Sequence, residues 1–237
     1  MSIINTSKPT TSLSNSSKVV GYETWDSNTS SWNTEIRTWN EMGTIWSNTS
    51  KPIQSTGSTM NTGTISPSTM ADDATVGTVT WTNPNNAKVE DGNTAETVLN
   101  SQTSHYLKAT NFGLSIPVGA TINGILVEIK KKQVIDGNYI KDSLVKIVKS
   151  DGSFGTTNKA DTIDYWTGTL LYSSYGSSSD LWGENWTPAD INNANFGTVI
   201  SAIGITTACT VYIDCIRMTV YYTTGATGFI TNQAKPI

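Results

Sequence analysis

The alternation of apolar and polar residues marks the central part of the chain as β structure. The clearest stretch, residues 121–131, places Ile125, Val127 and Ile129 on one face and polar side chains on the other. Similar patterns predict further strands at residues 78–82, 104–110, 143–149, 196–205 and 209–222. Gly- and Asn-rich turns separate these short strands. We therefore expect an all-β fold, an antiparallel β-sandwich of the jelly-roll type, over residues 73–223.

One short helix is predicted between two of these strands. Thr187, Pro188 and Asp190 occupy the N-cap, first and third positions of a capping box. Gly197 lies just beyond the expected end. The pattern predicts a single helical element over about residues 188–194.

The two cysteines lie in the last predicted strand. Cys209 and Cys215 lie six positions apart, and this even spacing predicts that they share a face with Val211 and Ile213. At roughly 20 Å apart along one strand, they are too distant for a disulfide. We interpret both as small core residues.

Residues 1–72 differ from the central region in amino-acid composition and are interpreted as an N-terminal arm rich in Ser, Thr, Asn and Trp. The string NTSKP occurs at residues 5–9 and again at 48–52, and a variant, NQAKP, occurs at 232–236 in a short C-terminal tail, residues 224–237. Pro9 and Pro52 would each end an extended segment in a bend. The role of these tags stays open.

A tryptophan recurs every seven residues in this arm, at Trp25, Trp32, Trp39 and Trp46. This spacing fits either a helix with one indole stripe or short strands and turns. The Asn, Ser and Thr residues between them each cost roughly half a kcal/mol in a helix relative to Ala, which favours an irregular arm. The indoles are then expected to pack either on the chain's own domain or on a partner, and the sequence does not separate these alternatives.

The charge and hydropathy of the chain limit the kinds of partner that it is expected to bind. The net charge is −4 and only 14% of residues are charged, which argues against a nucleic-acid-binding face. The one basic run, residues 130–132, is interpreted as a solvated strand end. The N-terminal text MSIINTSKPTTS lacks the apolar segment of a signal peptide, and no apolar run approaches the ~20 residues of a membrane span. We expect synthesis in a cytoplasm and no membrane partner.

Catalytic and metal-binding motifs are sparse. His105 is the only histidine and lacks the sequence context of a hydrolase triad, so we interpret it as structural. One histidine and two cysteines are too few for the usual zinc sites, and the acidic pairs at residues 72–73 and 161–164 lack EF-hand spacing. We predict no catalytic residue, no metal and no cofactor.

Two acidic residues near tryptophans could form a glycosidase pair. Glu184 lies between Trp182 and Trp186, and Asp190 follows. The stronger interpretation is structural: Asp190 caps the short helix, Glu184 lies in a solvated loop, and the indoles pack the helix onto the sandwich.

Four central segments together resemble a β-sandwich domain common in phage-encoded structural proteins. They are NFGLSIPVGATINGILVEIKKK, DSLVKIVKSDGSFGTTNKA, YGSSSDLWGENWTPADINNANFGTVISA and TVYIDCIRMTVYY. The texts NTSKPTTSLSNSSKVVGYETW and SSWNTEIRTWNEMGTIWSNTSKP also resemble arms of small virion proteins. The resemblance implies a virion location, as a capsid decoration, head-fibre, neck or tail accessory protein. It further implies virion partners, such as the major capsid protein or neck and tail proteins, and a homo-oligomer.

Three functions follow as hypotheses. The first is a non-enzymatic virion protein anchored through the arm's tryptophans, since aromatic anchors dominate interfaces. The second is a carbohydrate- or host-receptor-binding module on a fibre, with a glycan platform formed by Tyr172, Tyr175, Trp182 and Trp186. The third, a depolymerase or esterase, is least expected because groups suited to acid–base chemistry are scarce.

Overall fold

The computed structural model of the chain describes residues 57–134 and 139–225. The strands of these residues are β1 Thr59–Asn61, β2 Thr69–Asp73, β3 Ala95–Leu99, β4 Tyr106–Thr110, β5 Thr121–Gln133, β6 Ile140–Val148, β7 Leu171–Gly176, β8 Gly197–Gly204 and β9 Cys209–Thr223. The helices are a 3-10 helix, Pro84–Lys88, and α1, Pro188–Ile191. Neither helix is long and apolar enough to cross a membrane.

The strands form two antiparallel sheets. The first sheet has the order β1-β9-β5-β7, with β3 also paired to β9, and the second has the order β2-β4-β8-β6. Their inner faces share one apolar core, to which β5 contributes Ile125, Val127 and Ile129 and β8 contributes Ile200 and Ala202. Full burial of an aliphatic side chain of this size stabilises the fold by roughly 1.5–3 kcal/mol. The prediction of an all-β antiparallel sandwich is confirmed.

Most long strands lie where the alternation predicted them, whereas short ones were missed. Residues 78–82 form only isolated bridges, through Val79 and Thr82, and not a strand. Four strands escaped prediction: β1, β2, β3 and β7. They are three to six residues long; β1, β3 and β7 pair with the longer strands β9 and β5, and β2 pairs with β4, which has the same length. Pairing with a neighbour holds them in place with few apolar residues of their own.

Two of the missed strands lie in the segment interpreted as the arm. Strand β1 pairs with the end of β9, and β2 pairs with β4. Residues 59–61 and 69–72 are therefore part of the sheets. The tags, Pro9 and Pro52, and the four tryptophans of the seven-residue repeat all lie outside the described residues.

A bulge in β9 reverses the predicted face of one cysteine. Lys130 pairs with Cys215 but Lys131 pairs with Ile213, so Asp214 is an extra residue in β9. Before the bulge Cys209 points into the core, and after it Ile216 does. Cys215 is buried on the opposite face of the sheet, so the predicted common face is wrong. Both thiols are free.

The predicted helix cap is confirmed. The Thr187 hydroxyl accepts a hydrogen bond from the Asp190 backbone N–H, and the Asp190 carboxylate accepts one from the Thr187 backbone N–H. Helix α1 ends at Ile191, three residues earlier than predicted, with Asn192 as its C-cap. This cap anchors the connection that leads into β8.

Candidate functional site

The inner face of β5 carries a charged group next to the core. Lys131 lies on this face and is only 6% exposed, so the middle residue of the basic run is not solvated as predicted. Its Nζ contacts Asp142 Oδ1 and lies 2.5 Å from Tyr175 Oη. Because Lys131 belongs to the first sheet and Asp142 to the second, this contact bridges the two layers.

Asp142 is surrounded by hydrogen-bond donors. It lies next to a register shift in β6, between Asp142 and Leu144. Its carboxylate accepts hydrogen bonds from Trp166 Nε1 at 2.8 Å, Tyr175 Oη at 2.7 Å and the Asp161 backbone N–H at 3.0 Å. Such a set of donors compensates the desolvation of a buried carboxylate. We refer to Lys131, Asp142, Trp166 and Tyr175 as the buried cluster.

Burial changes proton affinities in the buried cluster. Removal from water lowers the pKa of Lys131, although the Asp142 carboxylate acts in the opposite direction. Burial and the adjacent Asp142 carboxylate raise the pKa of Tyr175, which stays protonated. The ammonium group also lies 4.6 Å from the centre of the Trp166 ring.

A cavity of about 220 Å³ adjoins the buried cluster at the end of β7. Its lining includes Lys131, the carboxylates Asp161 and Asp164, and the rings Tyr165 and Tyr172. Aromatic rings beside hydrogen-bonding groups are common in small-molecule sites. This cavity is therefore one place where the domain offers a concave polar surface.

The outer face of the first sheet carries a separate network of charges. Lys130 Nζ lies 2.6 Å from Glu90 Oε1 and 3.0 Å from Asp214 Oδ2, so it ties the 89–93 loop to the bulge of β9. The Tyr172 hydroxyl donates to Glu90 Oε2 at 2.7 Å. Arg217 makes a bidentate pair with Glu128, both bonds at 3.0 Å.

Tyr172 joins the parts of this outer network. The Arg217 guanidinium lies 3.8 Å from the centre of the Tyr172 ring. Both groups interact with the Cys215 thiol, whose pKa is raised by burial. Burial keeps the thiol protonated although Tyr172 and Arg217 act in the opposite direction on its pKa, and the charged groups of this network are paired with one another.

The four residues of the predicted glycan platform do not share one surface. Tyr172 and Tyr175 are three residues apart on β7 and face opposite sides of the sheet. Tyr175 and Trp182 are core residues, and Trp182 Nε1 donates to the Ile125 carbonyl oxygen at 2.9 Å. Trp186 is half-buried and packs edge-on against Phe196. Of the four, Tyr172 alone lies on the outer face.

The other candidate side chains have structural partners. His105 Nδ1 lies 2.8 Å from Asp72 Oδ2, and Trp81 Nε1 donates to the His105 carbonyl oxygen. Glu184 accepts a hydrogen bond from the Thr156 backbone N–H. Asp73 pairs with Lys108 beside a second cavity of about 370 Å³. Within the described ranges, no group of three metal-binding side chains is brought together.

The alternation of β5, followed past Ile129, predicts part of the buried cluster. The inward positions of β5 continue from Ile125 through Ile129 to Lys131 and Gln133. Following the alternation two residues further places a lysine and an amide in the core. Its partner Asp142 had no comparable signal, because the register shift in β6 decides which way that side chain points.

Comparisons with known proteins identify no family. No protein-family model matches the chain, and no curated protein matches it. The similar solved structures include the CBM22-1 xylan-binding domain of Paenibacillus barcinonensis Xyn10C, at 10% identity over 73% of this chain and 100% of that one, with a TM-score of 0.33. They also include the cyanophage Pam1 capsid asymmetric unit, at 13% identity over 72% and 87%, with a TM-score of 0.29.

A third similar structure belongs to an enzyme. It is the beta-1,2-glucanase of Parabacteroides distasonis, at 13% identity over 71% of this chain and 25% of that one, with a TM-score of 0.35. At such TM-scores these likenesses carry no argument about function.

Proposed function

We propose that the chain is a non-enzymatic structural component of a bacteriophage virion. The β-sandwich is its body, and the segment before Gly57 is its anchor. The observation that supports this proposal is the position of the two points at which the chain enters and leaves the β-sandwich. Thr59 pairs with Thr223, and the Thr224 backbone N–H donates to the Ser58 carbonyl oxygen at 3.0 Å. Both flanking segments therefore start from one end of the first sheet, which suits attachment to a neighbouring subunit.

The pairing of the ionisable side chains supports a role without turnover. His105 pairs with Asp72, Lys131 with Asp142 and Arg217 with Glu128. A general acid or base must be able to reach a substrate proton. Groups held in internal pairs stabilise the fold and are poorly placed to exchange protons with a substrate.

The proposed anchor is the tryptophan repeat of the arm. Trp25, Trp32, Trp39 and Trp46 would insert into other virion proteins, either the major capsid protein or neck and tail proteins, or into further copies of this chain. An aromatic anchor in a well-packed interface contributes roughly 2–4 kcal/mol. The low charge of the arm, with its Ser, Thr and Asn residues, suits ordering on a partner's sheet edge.

The proposal is tested by locating the chain on particles of the phage that encodes it. Antibodies raised against the full chain should label intact particles at a repeated position in immunogold electron microscopy. Particles rebuilt with the four arm tryptophans replaced by Ala should lose the label. A matched variant with Ala at Ser30, Ser31, Ser47 and Ser50 should keep it. Unlabelled wild-type particles would contradict the proposal.

A glycan-binding module is the second candidate, and the 220 Å³ cavity favours it. Tyr165 and Tyr172 line this cavity, and Asp161 and Asp164 add carboxylates that could accept hydrogen bonds from sugar hydroxyls. On a glycan array the full chain would then bind a defined sugar, and Tyr165→Ala would abolish the signal. Tyr221→Ala, on the outer face away from this cavity, is the matched control. No binding by the wild-type chain would leave the structural role alone.

A further inference from the structure

The contact between Lys131 and Asp142 is the most deeply buried ion pair of the described residues. The side chains are 6% and 0% exposed, whereas each other pair has at least one partner that is 18% exposed or more. A salt bridge this deep loses most of its Coulombic gain to desolvation, so stability alone is weak grounds for keeping one. The contact has another chemical property: an amine and a carboxyl group are held together where water is scarce.

We propose that Lys131 and Asp142 condense to an intramolecular amide, an isopeptide bond that covalently joins the two sheets. The bond that forms is Lys131 Nζ–Asp142 Cγ, and the bond that breaks is Asp142 Cγ–Oδ2. An ammonium and a carboxylate contain all the atoms of an amide and one water molecule. The reaction therefore needs no oxidant, cofactor or second substrate, and water is the only product released.

Tyr175 is placed to move the protons. Its Oη lies 2.5 Å from Lys131 Nζ and 2.7 Å from Asp142 Oδ2, so it bridges the two reacting groups. It first passes a proton from the ammonium to Oδ2, which leaves a neutral amine facing a protonated carboxyl group. Burial lowers the pKa of Lys131, which helps this neutral nucleophile form.

Two further donors are placed to stabilise the intermediate. Attack by Nζ on Cγ moves negative charge onto Oδ1, which already accepts a hydrogen bond from Trp166 Nε1 at 2.8 Å. The Asp161 backbone N–H, 3.0 Å from Oδ2, holds the second oxygen in position. Tyr175 then relays a second proton from nitrogen to Oδ2, which leaves as water. One hydrogen remains on the amide nitrogen.

The geometry also favours the condensed product over the free groups. Strands β5 and β6 fix both side chains, so the reaction is unimolecular with a high effective concentration. The adjoining 220 Å³ cavity, which Lys131 lines, offers the released water a path to solvent. After condensation Tyr175 Oη can accept the amide N–H, and Trp166 Nε1 can donate to the amide oxygen.

Intact mass spectrometry of the folded full chain tests the proposal. We expect the wild-type mass to be lower than the sequence mass by one water molecule. Trypsin does not cleave after an acylated lysine, so digestion should release residues 131–132 joined to residues 142–146. A wild-type chain that unfolds cooperatively in urea and has the full sequence mass would overturn the proposal.

Variants separate this crosslink from other losses of water. Lys131→Arg keeps the charge but removes the nucleophile, and it should have the full mass. Lys132→Arg, on the outer face, should lose water like the wild type. Loss of water in Lys131→Arg would place the dehydration elsewhere and contradict the crosslink. Followed by mass in freshly translated chains, Tyr175→Phe should lose water roughly 100-fold more slowly than the wild type, because it lacks the proton relay. An unchanged rate would overturn the role of Tyr175.

Discussion

Lys130 and Lys131 are consecutive residues of the same type, yet their surroundings differ completely. Lys130 lies on the outer face of β5, where hydrogen bonds to Glu90 and Asp214 raise its pKa. Lys131 lies on the inner face, where burial lowers its pKa despite the Asp142 carboxylate. The side of the sheet, more than the presence of a carboxylate, therefore decides whether the pKa of a lysine is raised or lowered here.

The two faces should also differ in energy. Removing one partner of a buried pair leaves polar groups without water or a partner, which costs about 3–5 kcal/mol. Partners on an accessible face can be rehydrated, so their loss costs about 1 kcal/mol or less. The following changes test this difference, beginning with the largest expected effect.

Replacing Asp142 by Ala should destabilise the domain by at least about 3–5 kcal/mol, because the proposed crosslink is lost together with the acceptor of the buried cluster. The change leaves Lys131, Trp166 Nε1, Tyr175 Oη and the Asp161 backbone N–H without their shared acceptor. The free energy of unfolding in urea measures the loss. Lys132→Ala is the outer control and should change stability by less than about 0.5 kcal/mol. Equal effects would remove the distinction between the faces.

Replacing Trp182 by Ala should cost about 3–5 kcal/mol, because it opens a cavity and leaves the Ile125 carbonyl oxygen unpaired. The same urea titration measures it. Trp186→Ala should cost less, since this ring is only half-buried. A Trp182→Ala protein of unchanged stability would mean that this indole is not a core residue.

Replacing Thr187 by Ala should cost about 0.5–2 kcal/mol, because helix α1 loses the acceptor of its capping box. Thermal unfolding followed by circular dichroism is sufficient to detect this. Ser178→Ala, an exposed serine in the same region, provides the comparison and should have almost no effect. If the two variants unfold alike, the cap contributes nothing measurable.

Replacing Arg217 by Ala should cost about 1 kcal/mol or less, because Arg217 and Glu128 pair on the accessible face. A double-mutant cycle with Glu128→Ala isolates the coupling, and added salt should reduce it. A coupling as large as the effect of Asp142→Ala would contradict the comparison of faces.

The smallest expected effect is an acid dependence of the helix cap. The hydrogen bond from the Thr187 hydroxyl, with others from its backbone N–H and from Ser150, lowers the pKa of Asp190. A carboxyl with a lowered folded-state pKa contributes stability above its unfolded pKa of about 3.9 and loses that contribution as pH falls through the folded value. Urea midpoints should therefore fall at acid pH. Thr187→Ala should show a smaller fall than the wild type, and an equal fall would argue against this origin.

The sequence was sufficient for the fold class and for the long strands. Period-two alternation predicted β5 and the final strand β9, and the Thr187–Asp190 spacing predicted the cap. These signals are local, because each depends on residues within one element. The short strands β1 and β7 carry few apolar residues and are held by pairing with β9 and β5, which a local pattern does not report.

The candidate site was less predictable for a related reason. The extra residue Asp214 moves Cys215 to the outer face, and a register shift in β6 accompanies the inward turn of Asp142. Bulges of this kind change side-chain direction without changing composition. The glycan platform was a prediction from residue type alone, and it overlooked that Tyr172 and Tyr175 must lie on opposite faces of β7.

Strand β9 is fifteen residues long and pairs with β1, β3 and β5, all of which precede it in the chain. During synthesis on the ribosome those three strands emerge before their common partner. The strand edges that pair with β9 therefore stay unpaired until β9 has been made. Such edges are where nascent chains associate wrongly. A message truncated ahead of Cys209 would yield a polypeptide that keeps only the β5–β7 pair of the first sheet, so the domain can fold only once translation is nearly complete.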